Sequence, residues 1–393
     1  MAFDLSPEHE QFRRTVRDFA EKEIAPHADR WDREHHFPVD VVQKMGELGL
    51  FGLTAPEEYG GAGLTGEDGG FTSLCLAIEE LGRVDQSMGI TLEAGVGLGI
   101  NPILTFGTDE QKQQWLPDLV AGRRLAGFGL TEPGAGSDAG ATRTRAELRD
   151  GDWVVNGSKQ FITNSGSTIT SLVTVTARTG EREDGKAEIS TIIVPSGTPG
   201  FTAEKAYDKL GWHASDTHPL TFDDCHVPEA NLLGERGRGF AQFLATLDDG
   251  RVAIAALAVG CIQACVDASV QYAGERTTFG VPIGRKQGVA FQVADLEVML
   301  HAARQLTYRA AWMKDAGAPM KEFKHAAAIA KLHATESAVT ATRIATQVFG
   351  GYGFMEEYPV TRFYRDAKVL EIGEGTSEVQ RMLIARGLGL PVE

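Results

Sequence analysis

The sequence predicts an α+β multidomain protein with a helical N-terminal domain, a central β-domain and a C-terminal helical bundle. Three observations carry this. Helical apolar spacing dominates the first third of the 393 residues. From about Leu125 to Gly239 the pattern changes to two-residue alternation rich in Thr and Val, as a half-buried sheet requires. Long Ala-rich periodic stretches then fill the last third. The implied domains are residues 1–124, 125–239 and 240–393.

In the N-terminal part, Ser6-Pro7 precedes Glu8–Glu23 with Phe12, Val16 and Phe19 at helical spacing, so Ser6 is read as an N-cap with Pro at the first helical position. Val39–Leu48, Phe71–Leu81 and Asp109–Val120 are further predicted helices, and Pro56–Gly70 is a Gly-rich connection. In the middle, Trp153–Asn156, Leu172–Thr176 and Glu188–Val194 alternate as strands, with Asn156-Gly157 and Pro199-Gly200 read as turns. LLGERGRG, residues 232–239, is the exit. The helices Phe240–Glu275, Lys286–Asp315 and Lys321–Phe349 suit an up-and-down bundle.

A formal charge of −16 argues against nucleic acid and anionic lipid as partners. The four cysteines form no CxxC pair, and Cys261 and Cys265 fall on one helix face as small hydrophobes. This usage fits a reducing compartment. The N-terminus shows no leader pattern, and the apolar run Val252–Ile262 is too short to span a bilayer. A soluble cytoplasmic protein is expected. Glu34-His35-His36 lacks the spacing of metal ligands, and His213 and His226 have no evident nucleophile partner.

Five segments could carry chemistry. In LTEPGAGSDAG, residues 130–140, Gly134, Gly136 and Ala139 match GxGxxG/A formally. The residues after it alternate like a strand instead of opening a helix, so the dinucleotide fingerprint is rejected. Two readings stand: a Gly-rich hairpin loop, or a loop whose N–H groups and hydroxyls (Thr131, Ser137) hold a cofactor. In QFITNSG, Phe161 is either a core aromatic or a stacking surface, with Thr163 beside it. Arg276 in RTTFG either complements a helix end or grips phosphate. In QVFGGYGF, Gly350 and Gly351 stop a helix or admit a ligand close to the backbone. In EIGEGTSEVQR, Glu374 lies between Gly373 and Gly375, and Ser377 with Gln380 makes a capping-box pattern. Glu374 is either a solvated loop carboxylate or a base placed without side-chain crowding, its affinity for protons raised by desolvation.

Taken together, FGLTEPGAGSDAG, FITNSG, RTTFG, QVFGGYGF and IGEGTSEVQR, in this order along the whole chain, resemble the acyl-CoA dehydrogenase family. The resemblance implies that family's fold, FAD as cofactor and Glu374 as the catalytic base. It implies flavin contacts from Phe128, Leu130, Thr131, Ser137, Phe161 and Thr163, where many relatives carry Trp at the Phe161 position. Arg276, Phe279, Gln287, Gln347, Gly350 and Gly351 are implied to reach the FAD of a neighbouring subunit, and Thr376 and Glu378 to touch FAD. Ser137, Asp248, Arg251 and Gly375 are implied to meet the acyl-CoA. The family's other base position precedes the Arg of LDxxR. Here it is Gly250, which leaves Glu374.

LDDGR and GWHASDT look most like short-chain and short-branched-chain bacterial members. A homotetramer (dimer of dimers) and electron transfer to an electron-transferring flavoprotein are further implications, as are fatty-acid or branched-chain amino-acid breakdown. The alternatives are an acyl-CoA oxidase, a non-catalytic flavin- or acyl-CoA-binding homologue, and a nucleic-acid-binding relative disfavoured by charge.

Overall fold

The computed structural model describes residues 5–64 and 66–392. Residues 1–4, part of the stretch read for a leader, lie outside the described residues. The chain opens with helices α1 (Pro7–Phe19), α2 (Ala28–Glu34), α3 (Val39–Glu47), α4 (Gly70–Val84), α5 (Gln86–Glu93), α6 (Asn101–Phe106) and α7 (Asp109–Val120). Ser6 caps α1 through its side chain, which accepts from the His9 N–H. The Ser-Pro start thus satisfies an end donor the helix cannot pair internally. Thr108 and Gln111 cap α7 reciprocally.

Two widened π-helical turns interrupt the α-pattern, at Ala20–Ile24 and Ala94–Ile100. The second follows α5 directly and lies against the first strand. A methyl group on Gly99 would stand 3.0 Å from the Ala126 carbonyl oxygen, so any side chain there would press on the strand.

The described strands β1 (Leu125–Gly129), β2 (Arg145–Arg149), β3 (Asp152–Thr163), β4 (Thr170–Glu181), β5 (Ala187–Pro195), β6 (Phe201–Ala203), β7 (Thr217–Pro228) and β8 (Leu232–Leu233) form one sheet. Its order is β6-β7-β3-β2-β4-β5-β8, with β1 pairing parallel to β4. Trp153, Val155, Val173, Val175, Ile192 and Phe222 fill its own small core. Asn156-Gly157, expected as a turn, lies inside β3. The register against β7 shifts there between Val155 and Gly157, so the pair makes a bulge and the strand continues. Pro199-Gly200 is a turn, immediately before β6.

The C-terminal part holds α8 (Gly239–Glu275), a ribbon of β9 (Thr277–Thr278) and β10 (Val281–Pro282), α9 (Gln287–Asp315), α10 (Met320–Phe349), α11 (Val360–Ala367) and α12 (Ser377–Gly387). The helices α8, α9 and α10 pack with α4 around one apolar core, and all four cysteines are buried and unpaired in disulfides. The expectation from the apolar run needs correction. By length and composition the stretches Gln86–Phe106 and Gly239–Glu275 could each cross a membrane, but their most apolar windows are 67% and 83% buried within the protein. α8 is therefore apolar on all sides because it is surrounded by other helices.

Candidate active site

Glu374 lies between the 3₁₀ turn Lys368–Glu371 and α12. Its φ is +53°, a left-handed conformation that is uncommon for a residue with a side chain. Such backbone persists only where surrounding contacts hold it. Here the Lys331 ammonium donates to the Gly375 carbonyl at 2.7 Å, and the Gln380 amide donates to the same oxygen at 2.9 Å and to the Glu374 carbonyl at 3.4 Å. Gly375 itself has φ +91°. The helix that follows is capped by Thr376, whose hydroxyl accepts from Val379 N–H. The expected cap was Ser377, with Gln380 reaching back. Gln380 is instead committed to holding the Glu374-Gly375 turn.

That turn sends the Glu374 side chain inward. Both carboxylate oxygens are buried, and among the described residues no donor reaches them. They rest on α8 at Gly250, where an added methyl group would stand 1.8 Å from Oε2. Burial pushes the Glu374 pKa up to about 7, against the lowering effects of Glu93, Arg251 and Lys331. Arg251 is itself held by Asp248 at 2.5 Å, and Lys324 pairs with Asp248 at 2.9 Å. Asp248 and Arg251, expected to meet acyl-CoA, are thus buried and paired with one another. Lys331 is fully buried, and desolvation brings its pKa down to about 8. A second carboxyl, that of Glu93 at the end of α5, faces Glu374. It is also fully buried, also has no donor, and burial raises its pKa well above the usual range. The sequence reading did not pick out Glu93. A lone acid in the otherwise apolar stretch MGITLEAGVGLGI is the signal that could have found it.

The Gly-rich segment is a loop after β1 and does not begin a helix. One buried carboxylate holds it: Glu132 accepts from the Lys159 ammonium at 2.7 Å, from the N–H groups of Arg143 and Thr144, and from the Thr142 hydroxyl. Lys159 also donates to the Leu130 carbonyl at 3.1 Å and the Thr176 hydroxyl at 3.0 Å. Its own pKa falls to about 8 by desolvation, and the Glu132 pKa falls to about 2, burial being outweighed by the Lys159 charge. With its ends fixed, the loop presents Leu130 and Thr131 half-buried and Ser137 exposed. The Gln160 N–H donates to the Thr131 carbonyl at 2.8 Å, which joins this loop to the end of β3. There Phe161, at φ +61°, is 62% exposed, and Thr163 is half-buried beside it. Phe128 is buried, its ring stacked on Phe243 at 3.9 Å.

The remaining predicted residues lie elsewhere. Arg276, Phe279, Gln287, Gln347, Gly350 and Gly351 are exposed at the turns that end α8 and α10, with Arg276 over the Tyr352 ring. Along α8, Arg276 is 25 residues beyond Arg251, about 37 Å at 1.5 Å per residue. One chain therefore does not bring this group to Glu374. Thr376 is half-buried and Glu378 exposed, both next to the Glu374 turn. His213, left without a partner by the sequence, is an ion-pair partner of Asp32, which also binds Arg365 at 2.5 Å. This joins the first helices to α11.

Comparison with known proteins gives the family. Residues 6–123 match the family described as "Acyl-CoA dehydrogenase, N-terminal domain", residues 127–225 its middle domain and residues 237–389 its C-terminal domain. The chain is 50% identical over 388 residues to the probable acyl-CoA dehydrogenase YngJ of Bacillus subtilis, covering 99% of this chain and 100% of that one. It is 45% identical over 382 residues to the mitochondrial short-chain specific acyl-CoA dehydrogenase of Mus musculus, covering 97% and 90%. The solved butyryl-CoA dehydrogenase of Megasphaera elsdenii superposes with a TM-score of 0.93 at 42% identity, covering 99% of this chain and 100% of that one. With its three domains matched in order, the chain belongs to the acyl-CoA dehydrogenase family and is an oxidoreductase acting on acyl-CoA.

Proposed function

We propose that this enzyme dehydrogenates a short straight or branched acyl-CoA at Cα–Cβ to the trans-2-enoyl-CoA, with FAD as cofactor and Glu374 as base. The observation that carries this is the Glu374 carboxyl: its oxygens are buried, without donors among the described residues, and seated on Gly250, where an added methyl group would displace them. A carboxylate so desolvated has a proton affinity matched to neutral pH, as a general base for a weakly acidic C–H needs.

The residues present fit FAD. Phe161 offers an exposed ring beside the pinned Gly-rich loop, and the partly exposed Leu130, Thr131, Ser137 and Thr163 of the β-domain would hold the flavin with it. When bound, FAD supplies the acceptor for the β-hydride, which no side chain can provide. Glu374 takes the α-proton. The Glu374 N–H donates to no backbone carbonyl among the described residues, and it is free to stabilise charge developing on the thioester oxygen. The exposed group at Arg276, Phe279, Gln287, Gln347, Gly350 and Gly351 would serve the FAD of a neighbouring copy, in a homotetramer built as a dimer of dimers. Electrons would pass to an electron-transferring flavoprotein.

Short-chain and butyryl-CoA enzymes among the relatives support a small acyl group. Anaerobic bleaching of the flavin by butyryl-, isobutyryl-, 2-methylbutyryl-, isovaleryl- and octanoyl-CoA tests this. One or more of the first four should bleach fastest. Octanoyl-CoA bleaching faster than all four would contradict a short-chain assignment.

A further inference from the structure

We propose that Lys331 is a positioning residue of this active site: its ammonium clamps the Gly375 carbonyl, which holds Glu374 in the backbone conformation that aims its carboxyl, and sets a fixed positive charge one residue from the base. The inference rests on the reading of Glu374 as the base. Lys331 lies midway along α10 among the buried Ala327, Ala328, Ala330 and Ala334, and it is itself 0% exposed. An ammonium in such surroundings is costly unless polar groups receive it. Packing alone would be served by leucine or methionine without that cost. The acceptor it has among the described residues is the Gly375 carbonyl, at 2.7 Å.

That oxygen is where the turn can be held. Glu374 at φ +53° and Gly375 at φ +91° are both in the left-handed region, and a residue with a side chain keeps such a conformation only where contacts fix it. Gln380 also donates to the Gly375 carbonyl, at 2.9 Å, but it is five residues on and belongs to α12 itself. Lys331 is 44 residues away in sequence and ties the turn to the bundle. Its helix, α10, packs on α8, which carries Gly250, the seat of the carboxyl. The base and its seat are thereby joined to one pair of packed helices.

Charge acts in the same direction. The charged groups facing Lys331 are Glu374, Arg251 of α8, Glu371 of the 3₁₀ turn and Glu336 of α10 itself. Glu371 is paired with Lys368 at 2.5 Å and Glu336 with Arg381 at 2.7 Å. The Glu374 oxygens have no such partner among the described residues, so the Lys331 charge favours the ionised form of the base.

Rapid-mixing reduction of the FAD-loaded enzyme by butyryl-CoA without oxygen, followed over a pH series, tests this. The rate should rise with pH as Glu374 ionises and then reach a plateau. Lys331→Met should lower the plateau by roughly 10²-fold, because the carboxyl loses its aim, with the half-saturating butyryl-CoA concentration little changed. It should also move the midpoint up by about one unit, because a cation beside the carboxyl is gone. Gln380→Met removes a donor to the same carbonyl and no charge, so it should slow reduction and leave the midpoint near the wild-type value. A plateau in Lys331→Met near that of the wild type, or a midpoint no higher than that of Gln380→Met, overturns the proposal. Should Lys331→Met not fold, Lys331→Gln, which keeps a polar donor without the charge, is held to the midpoint criterion. Failure of the base itself would show differently, as undiminished flavin reduction by Glu374→Gln.

Discussion

The Glu374 carboxyl is seated directly on Gly250, so close that a single methyl group there would stand 1.8 Å from Oε2. The two positions are 124 residues apart, and the carboxyl keeps this seat only while residue 250 carries no side chain. Gly250→Ala should leave α8 intact, since alanine is a better helix former than glycine. It should displace Oε2 by more than an ångström, from 1.8 Å to beyond the 3.0 Å that real contacts keep. A shift of that size at a reacting group reduces rate by roughly 10²-fold. Rapid-mixing measurement of flavin reduction checks this against an unchanged circular dichroism spectrum.

The Lys159–Glu132 pair should govern cofactor retention. Both side chains are essentially buried, at 0% and 4% exposure, and Glu132 fastens the loop expected to hold the flavin. Lys159→Met leaves that carboxylate without its cation, a loss of about 3–5 kcal/mol for a buried pair. The variant should purify with less bound FAD and a lower Tm. Retention of full FAD occupancy would show that the loop holds its shape without the pair.

The raised proton affinity of Glu374 makes a stability prediction with a definite sign. Its pKa is 4.5 in an unperturbed chain and about 7 in the fold, so between those values the folded protein binds more protons than the unfolded one. Unfolding free energy from this group therefore falls as pH rises from 4.5 to about 7 and is level above. Glu374→Gln removes the term. Its Tm should exceed that of the wild type above pH 7, and the difference should shrink toward pH 4.5, as a pH series of thermal melts would show.

The sequence was legible wherever one local rule acted alone. Ser6-Pro7 starts α1, the helix Asp109–Val120 is present as α7, and period-two alternation marks β3, β4 and β5. It misled where two rules competed. Asn156-Gly157 is a strong hairpin signal, but β3 has partners on both sides and the pair is absorbed as a bulge. Thr376 and Ser377 are adjacent candidate caps, and the helix starts from Thr376 while Gln380 bonds the Gly375 carbonyl instead of reaching back. The stretch Gln86–Ile100 has apolar residues on all sides and three glycines after Glu93. It shows no amphipathic period, and α5 with its π-helical turn went unread. Glu93 was missed with it. Glu374 and Gly250 stand in local motifs that the sequence shows, whereas Lys331 and Glu93 come to Glu374 only through packing.

The central claim is that Glu374 takes the α-proton. Its most direct test is Glu374→Gln, purified with FAD and mixed anaerobically with butyryl-CoA. The amide keeps the shape and cannot accept the proton, so the flavin should stay yellow or bleach roughly 10²–10⁴-fold more slowly. Bleaching at the wild-type rate would show that another group is the base.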